Sequence, residues 1–221
     1  MPRHPRFSTG GYVFHVLNRG AGRQTLFDSD TDYDAFVALL EEARRQAPMR
    51  VLAYCVMPNH WHLVLWPETD FALSEYMHWL TVTHSVRWHA WRKTGGTGPV
   101  YQGRFKSFPV QEDDHFLALC RYVERNPLRA GLVTRAESWK WCSLWQRDRC
   151  AATVTLNSWP VPVGKSWVEY VNDAQTEAEV EGIRQCITRG RPFGDSRWVR
   201  GTARTLGLQR TLRSRGSSGR T

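Results

Sequence analysis

Met57-Pro58-Asn59-His60-Trp61-His62-Leu63-Val64-Leu65-Trp66-Pro67 is the stretch on which the fold turns. Pro58-Asn59 reads as a turn, and the apolar run after it, closed by Pro67, reads as a strand. Ahead of the turn, Arg50–Met57 (RVLAYCVM) is a second strand, and the short connection makes the two an antiparallel hairpin. Working outward, Gly11–Leu17 (GYVFHVL) predicts an earlier strand, bounded by Gly10 and by Asn18-Arg19-Gly20. Asp30 and Thr31 offer caps to a helix over 31–47, with Tyr33, Phe36, Val37 and Leu40 at helical spacing. Downstream, 71–93 reads as a long helix with Met77, Leu80, His84, Trp88 and Trp91 along one side, followed by a flexible loop at Gly95–Pro99. Phe105–Gln111 is a fourth strand, and 114–126, capped by Asp113 or Asp114, is a helix that Pro127 stops. The order β-α-β-β-α-β plus a further helix is an α+β, ferredoxin-like split β-α-β sheet in which the first and third strands are central. Residues 1–133 are expected to form this core, 134–207 an irregular extension packed on it that could contact DNA, and 208–221 a basic, disordered tail.

Strand alternation sends Trp61, Leu63 and Leu65 to one face and His60, His62, Val64 and Trp66 to the other. Two imidazoles on one face, roughly 6–7 Å apart along the strand, can share a metal ion if a third ligand faces them. H-x-H by itself fits two solvated or hydrogen-bonded strand-end histidines better than a metal site. In the helix HFLALCRYVERNP, Phe116, Leu119, Cys120 and Val123 define the buried stripe. At about 100° per residue, Tyr122 and Asn126 flank one edge of that stripe, while Arg121 and Arg125 point away. Alone, these are compatible with a boundary tyrosine and a helix-ending asparagine. Packed beside the histidine strand, they add a phenol and an amide oxygen to the two imidazoles. Such a mixed N/O set suits Mg²⁺ or Mn²⁺ bridging a phosphate better than a closed zinc site. The phenol would then attack a phosphodiester and conserve its energy as a phosphotyrosine.

Composition narrows the substrate class. The chain is 41% hydrophobic with 11 Trp among 221 residues, which excludes a disordered chain. No run approaches the roughly 20 apolar residues of a membrane span, and MPRHPRFSTGG has no apolar stretch of a secretory leader. Five cysteines, an odd number with no C-x-x-C pair, point to reduced thiols in a cytoplasm and against a thiolate zinc site. The net charge is +9, and 26 of the 30 cations are arginine, whose forked guanidinium suits phosphate. A GC-rich genome would also raise arginine over lysine. From Arg184 onward there are ten arginines and one acid, Asp195.

With these residues in view, MPNHWHLVL at 57–65 resembles the HUH signature of single-tyrosine transposases and rolling-circle nucleases. HVLNRG near the start, GRFKS at 103–107 and YVERNPLRAGLV at 122–133 make the chain similar to the REP-associated tyrosine transposases. So does the C-terminal RGRPFGD and the LGL and TLR that follow it. The resemblance covers nearly the whole chain, except the tail after about Gly207. It implies His60, His62 and Asn126 as metal ligands, for Mg²⁺ or Mn²⁺, and Tyr122 as the nucleophile forming a 5′-phosphotyrosine. It implies a substrate of single-stranded DNA folded into an imperfect, REP-like palindromic hairpin with a tetranucleotide at its foot. No membrane or small-molecule partner is expected, and either a monomer or a homodimer fits.

Arg104 and Lys106, alternating with Phe105 on the fourth strand, are expected to contact the DNA backbone, where contacts position rather than specify. Arg19, Arg23, Arg125 and Arg129 are further candidates. His15 reads as a sheet histidine that could approach the site. Two other readings stay open: a domesticated hairpin-binding protein that does not cut, and a rolling-circle initiator. A β/α-barrel hydrolase is disfavoured, since eight β/α units need about 250 residues.

Overall fold

The computed structural model describes residues 9–164 and 166–213. Four strands form one antiparallel sheet: β1 (Val13–Arg19), β2 (Arg50–Met57), β3 (His60–Trp66) and β4 (Lys106–Val110). Their order is β2-β3-β1-β4, so β1 and β3 are central, as the ferredoxin-like reading requires. β1 lies two residues further along than its composition suggests. Asn18 and Arg19, turn-like by type, stay in the ladder because β3 supplies them partners, Trp61 and His60.

Helix α1 (Asp30–Gln46) is capped by Ser29 rather than by Asp30 or Thr31. The Ser29 hydroxyl accepts from the Asp32 N–H, and the Asp32 carboxylate accepts from the Ser29 N–H, a reciprocal box that satisfies two end donors. Helix α1 and helix α2 (Ala72–Arg92) cover one face of the sheet, burying Phe14, Val16, Trp61, Leu63 and Leu65. The predicted α2 stripe ends at Trp88, and Trp91 is exposed. Helix α3 (Asp114–Glu124) covers the other face, on Val13, Val64 and Phe108. The alternation expected in β3 therefore divides two cores.

Pro127 does not stop this helix region. Arg125 keeps right-handed helical dihedrals and the chain resumes as α4 (Asn126–Arg129), with Pro127 in its first turn. There the missing N–H is an orphan donor in any case, so proline is tolerated.

The extension is ordered well beyond what its sequence suggests: α5 (Ser143–Asp148), α6 (Trp167–Asn172), α7 (Glu177–Arg189) and α8 (Ser196–Thr205). It closes both sheet edges. Trp141 and Asn157 bond the β2 backbone, and Phe193 bonds Pro109 of β4 and the adjacent Gln111. Open edges invite pairing with other chains. The buried Glu124 carboxylate is the anchor: it accepts from Ser143 Oγ (2.5 Å), Arg147 (2.6 Å) and Trp167 Nε1 (2.7 Å). Of the tail expected from residue 208, Gln209–Leu212 forms a 3-10 turn, and residues 214–221 lie outside those described. No helix among the described residues is long and apolar enough to cross a membrane.

Candidate active site

β3 enters the sheet at His60, directly opposite Arg19 of β1, and His62 follows opposite Leu17. The two imidazole rings lie 5.1 Å apart between centroids. Each has its Nδ1 engaged. His60 Nδ1–H donates to Asn59 Oδ1 at 2.7 Å, which leaves the Nε2 lone pair of His60 open. His62 Nδ1 meets His15 Nε2 at 2.8 Å. A free lone pair on His62 Nε2 requires its Nδ1 to be the donor, which places the His15 proton on Nδ1. That His15 nitrogen is buried without a partner among the described residues. An unsatisfied buried polar group typically costs about 1–3 kcal/mol. His15 is thus part of the site, in contact with His62 rather than merely near it.

Burial keeps these rings neutral. Desolvation pushes the His60 pKa down to about 4, with Arg19 and Arg129 adding repulsion. His62 is held well below the usual histidine range by burial first, then by its histidine and arginine neighbours. A neutral imidazole is the metal-binding form.

Helix α3 brings Tyr122 edge-on to His62, ring centroids 5.9 Å apart. The stripe Phe116, Leu119, Cys120 and Val123 is fully buried, so helical phase leaves Tyr122 at its border, facing the histidines. The Arg129 guanidinium lies 4.1 Å over the Tyr122 ring and bonds Gln175 Oε1 at 3.3 Å. Asn126 opens α4 beside them, 7% exposed, with its Nδ2 unpartnered among the described residues. His60, His62, Tyr122 and Asn126 all line one open pocket of about 880 Å³.

The pocket is basic. Arg19, Arg104, Lys106 and Arg129 line it, as their sequence positions suggest, and α7 adds Arg184 and Arg189 against a single acid, Glu181. Arg23 and Arg125, expected to contact DNA, do not line it. Arg23 is exposed in the 3-10 turn after β1. Arg125 points to the extension, where its Nη1 donates to the Val171 and Asn172 carbonyls. The α7 residues had no local motif. Their one signal was the excess of arginine from Arg184 onward.

The donor set can hold a divalent cation. Among the described residues no three His, Cys, Asp or Glu side chains converge, so a metal here would take its third donor from an amide. Asn126 offers one, and its amide makes no hydrogen bond among the described residues; exchanging its oxygen and nitrogen positions is a choice the hydrogen-bond network leaves free. Two Nε2 lone pairs, each backed by an Nδ1 contact, have the outer support typical of ligand histidines.

Comparison with known proteins bears on this arrangement. The family described as IS200-like transposase matches residues 8–126, more than half of the chain. A solved REP-associated tyrosine transposase bound to a REP hairpin is similar in fold. Its TM-score is 0.54 at 20% identity, over 70% of this chain and 89% of that one. A candidate transposase from Deinococcus radiodurans R1 gives a TM-score of 0.39 at 16% identity, over 57% of this chain and 97% of that one. No curated protein matches.

Proposed function

Because the chain belongs to the IS200-like transposase family, we propose that it cuts and rejoins single-stranded DNA through a covalent link to Tyr122. The observation that carries this reading is the convergence of Tyr122, His60, His62 and Asn126 on one basic pocket. His60, His62 and Asn126 would hold Mg²⁺ or Mn²⁺. When bound, such an ion polarises the scissile phosphate and offsets charge on its oxygens.

The chain's own groups do the rest. Arg19, Arg104 and Lys106 bind the DNA backbone at the pocket mouth and orient it. Arg129, stacked on the Tyr122 ring, holds the phenol in place and adds positive charge beside the phosphoryl group. Tyr122 Oη attacks phosphorus, forming the Oη–P bond as the bond to the 3′-oxygen breaks. The phenol proton leaves to solvent, and the departing 3′-oxygen takes a proton to become a free hydroxyl. The 5′-phosphate stays on Tyr122, where a 3′-hydroxyl can later attack and rejoin a strand. The substrate we favour is a REP-like DNA hairpin with a single-stranded foot. A REP hairpin is bound by the solved transposase of similar fold, and the open basic pocket suits a single strand.

A labelled hairpin with single-stranded flanks, incubated with Mn²⁺ or Mg²⁺ and run on a denaturing gel, tests the reading. A protein-linked 5′ product should form, vanish with a chelator, and be absent for Tyr122→Phe while hairpin binding persists. Covalent product from Tyr122→Phe would refute the role of Tyr122. A chain that binds hairpins but never cuts them would favour a domesticated binding protein.

A further inference from the structure

Several arginines are paired with acids, among them Arg44 with Glu41, Arg87 with Glu42, Arg92 with Asp28 and Asp32, and Arg147 with Glu124. Helix α8 carries a row of arginines that are not. Arg197, Arg200 and Arg204 recur at i, i+3 and i+7 on one exposed face, while Val199, Thr202 and Ala203 are buried on the other. None of the three, nor Arg210 in the turn that follows, has an ion pair or side-chain hydrogen bond among the described residues. The one acid of the segment, Asp195, is engaged: it caps α8 through the Arg197 and Trp198 N–H groups and accepts from Gln111 Nε2. Three guanidiniums on one exposed helix face repel each other, and an anionic partner would relieve that repulsion.

Their placement is informative. The Asp195–Gln111 pair pins the start of α8 just beyond Val110, the end of β4 remote from the pocket. From there the chain returns until the Arg213 carbonyl accepts from Arg189, a residue of the pocket wall. Helix α8 therefore starts beside the far end of β4, and the turn that follows it ends at the pocket wall. Arg197 and Arg204 stand about 10 Å apart along the axis, from the 1.5 Å rise per residue. Trp198, the only aromatic of α8, lies against Gly194 rather than on this face. Without a stacking platform, the face suits phosphates rather than splayed bases.

We propose that this face of α8 is a duplex-DNA surface, with Arg197, Arg200 and Arg204 on the backbone of a double-stranded stem whose single-stranded foot enters the pocket at Tyr122. The proposal rests on the function proposed above only in supposing a substrate with both a stem and a foot. Fixed cations on a straight, rigid element match a rigid double strand better than a flexible single one. The contacts carry no sequence information.

The full chain carrying Tyr122→Phe, which should not turn substrate over, is titrated by fluorescence anisotropy between 50 and 200 mM salt. One probe is a DNA hairpin of arbitrary sequence with a 5′ single-stranded tail; the other is an unstructured oligothymidine of the same length. Combining Arg197→Ala, Arg200→Ala and Arg204→Ala should weaken hairpin binding roughly tenfold or more. It should also reduce the log–log salt slope by about 0.9 for each lost contact, close to 3 in all. Binding of oligothymidine should fall much less. The corresponding triple lysine variant should keep most of the slope. Equal loss on both probes, an unchanged hairpin slope, or a lysine variant as weak as the alanine one would each overturn the proposal. Covalent adduct formation by the Tyr122 chain is read separately, so failure of the cutting mechanism and failure of the α8 surface remain distinguishable.

Discussion

The two faces of the sheet handle buried polar groups in opposite ways. Under α1 and α2 the chains of hydrogen bonds close. Trp61 Nε1–H donates to the Tyr101 hydroxyl at 3.1 Å, that hydroxyl meets His84 Nδ1 at 2.6 Å, and the Tyr76 hydroxyl donates to the Leu40 carbonyl. On the α3 face the network around Glu124 closes too, but nearer the pocket they run out. Among the described residues, His15 Nδ1, Arg19 Nε and Asn126 Nδ2 are buried without partners, as are Arg121 Nε and Gln175 Nε2. Buried polar groups are nearly always satisfied, so a cluster of exceptions calls for a functional reason. If the function proposed above holds, one face serves stability and the other serves ligands. Trp61, between His60 and His62 in sequence, belongs to the first, because side chains alternate along β3.

The strongest attempt to break this contrast is Trp61→Ala. It empties a fully buried site and frees the Tyr101 hydroxyl, and should cost about 3–5 kcal/mol. Chemical denaturation measures it, and a loss below 1 kcal/mol would mean that the first face is not the structural one. Asn126→Leu should do the reverse. Removing an unsatisfied amide leaves stability nearly unchanged, while metal-dependent cleavage falls at least about 100-fold, more than the loss of an outer partner. A cleaving Asn126→Leu enzyme would remove Asn126 from the ligand set.

His15→Phe sharpens the contrast further, because His62 keeps a ring beside it but loses its hydrogen-bond partner. The metal concentration for half-maximal cleavage should rise about 10- to 100-fold, with little change in Tm. No shift in metal requirement would reduce His15 to packing.

The smallest expected effect is on acid stability. Burial pushes the His84 pKa down to about 3, whereas an unfolded histidine titrates near 6.5. Between those values the unfolded chain binds more protons, so stability falls as pH drops through 6.5 toward 3. The slope from this group is at most about 1.4 kcal/mol per pH unit. In a series of Tm values from pH 7 to pH 5, His84→Gln should show a shallower fall. An unaltered slope would show that His84 is not held neutral.

Sequence by itself determined what depends on local period. Alternation divides His62 from Trp61 and Leu63, and helical phase sets Tyr122 at the border of Phe116, Leu119 and Val123. Hence the sheet order, the family and the central part of the candidate site were legible in β3 and in YVERNP. Only the tertiary structure decided what depends on register and on contacts distant in sequence. β1 runs on to Arg19, and its register against β3 brings the His15 ring onto His62, a contact 47 positions apart that no local pattern encodes. Arg125 turns to the carbonyls of Val171 and Asn172 instead of to the pocket, and α7 supplies Arg184 and Arg189 in its place. The irregular extension could not be read for the same reason. Its short helices are held by anchors such as Glu124, and they owe their positions to the sheet edges they cover.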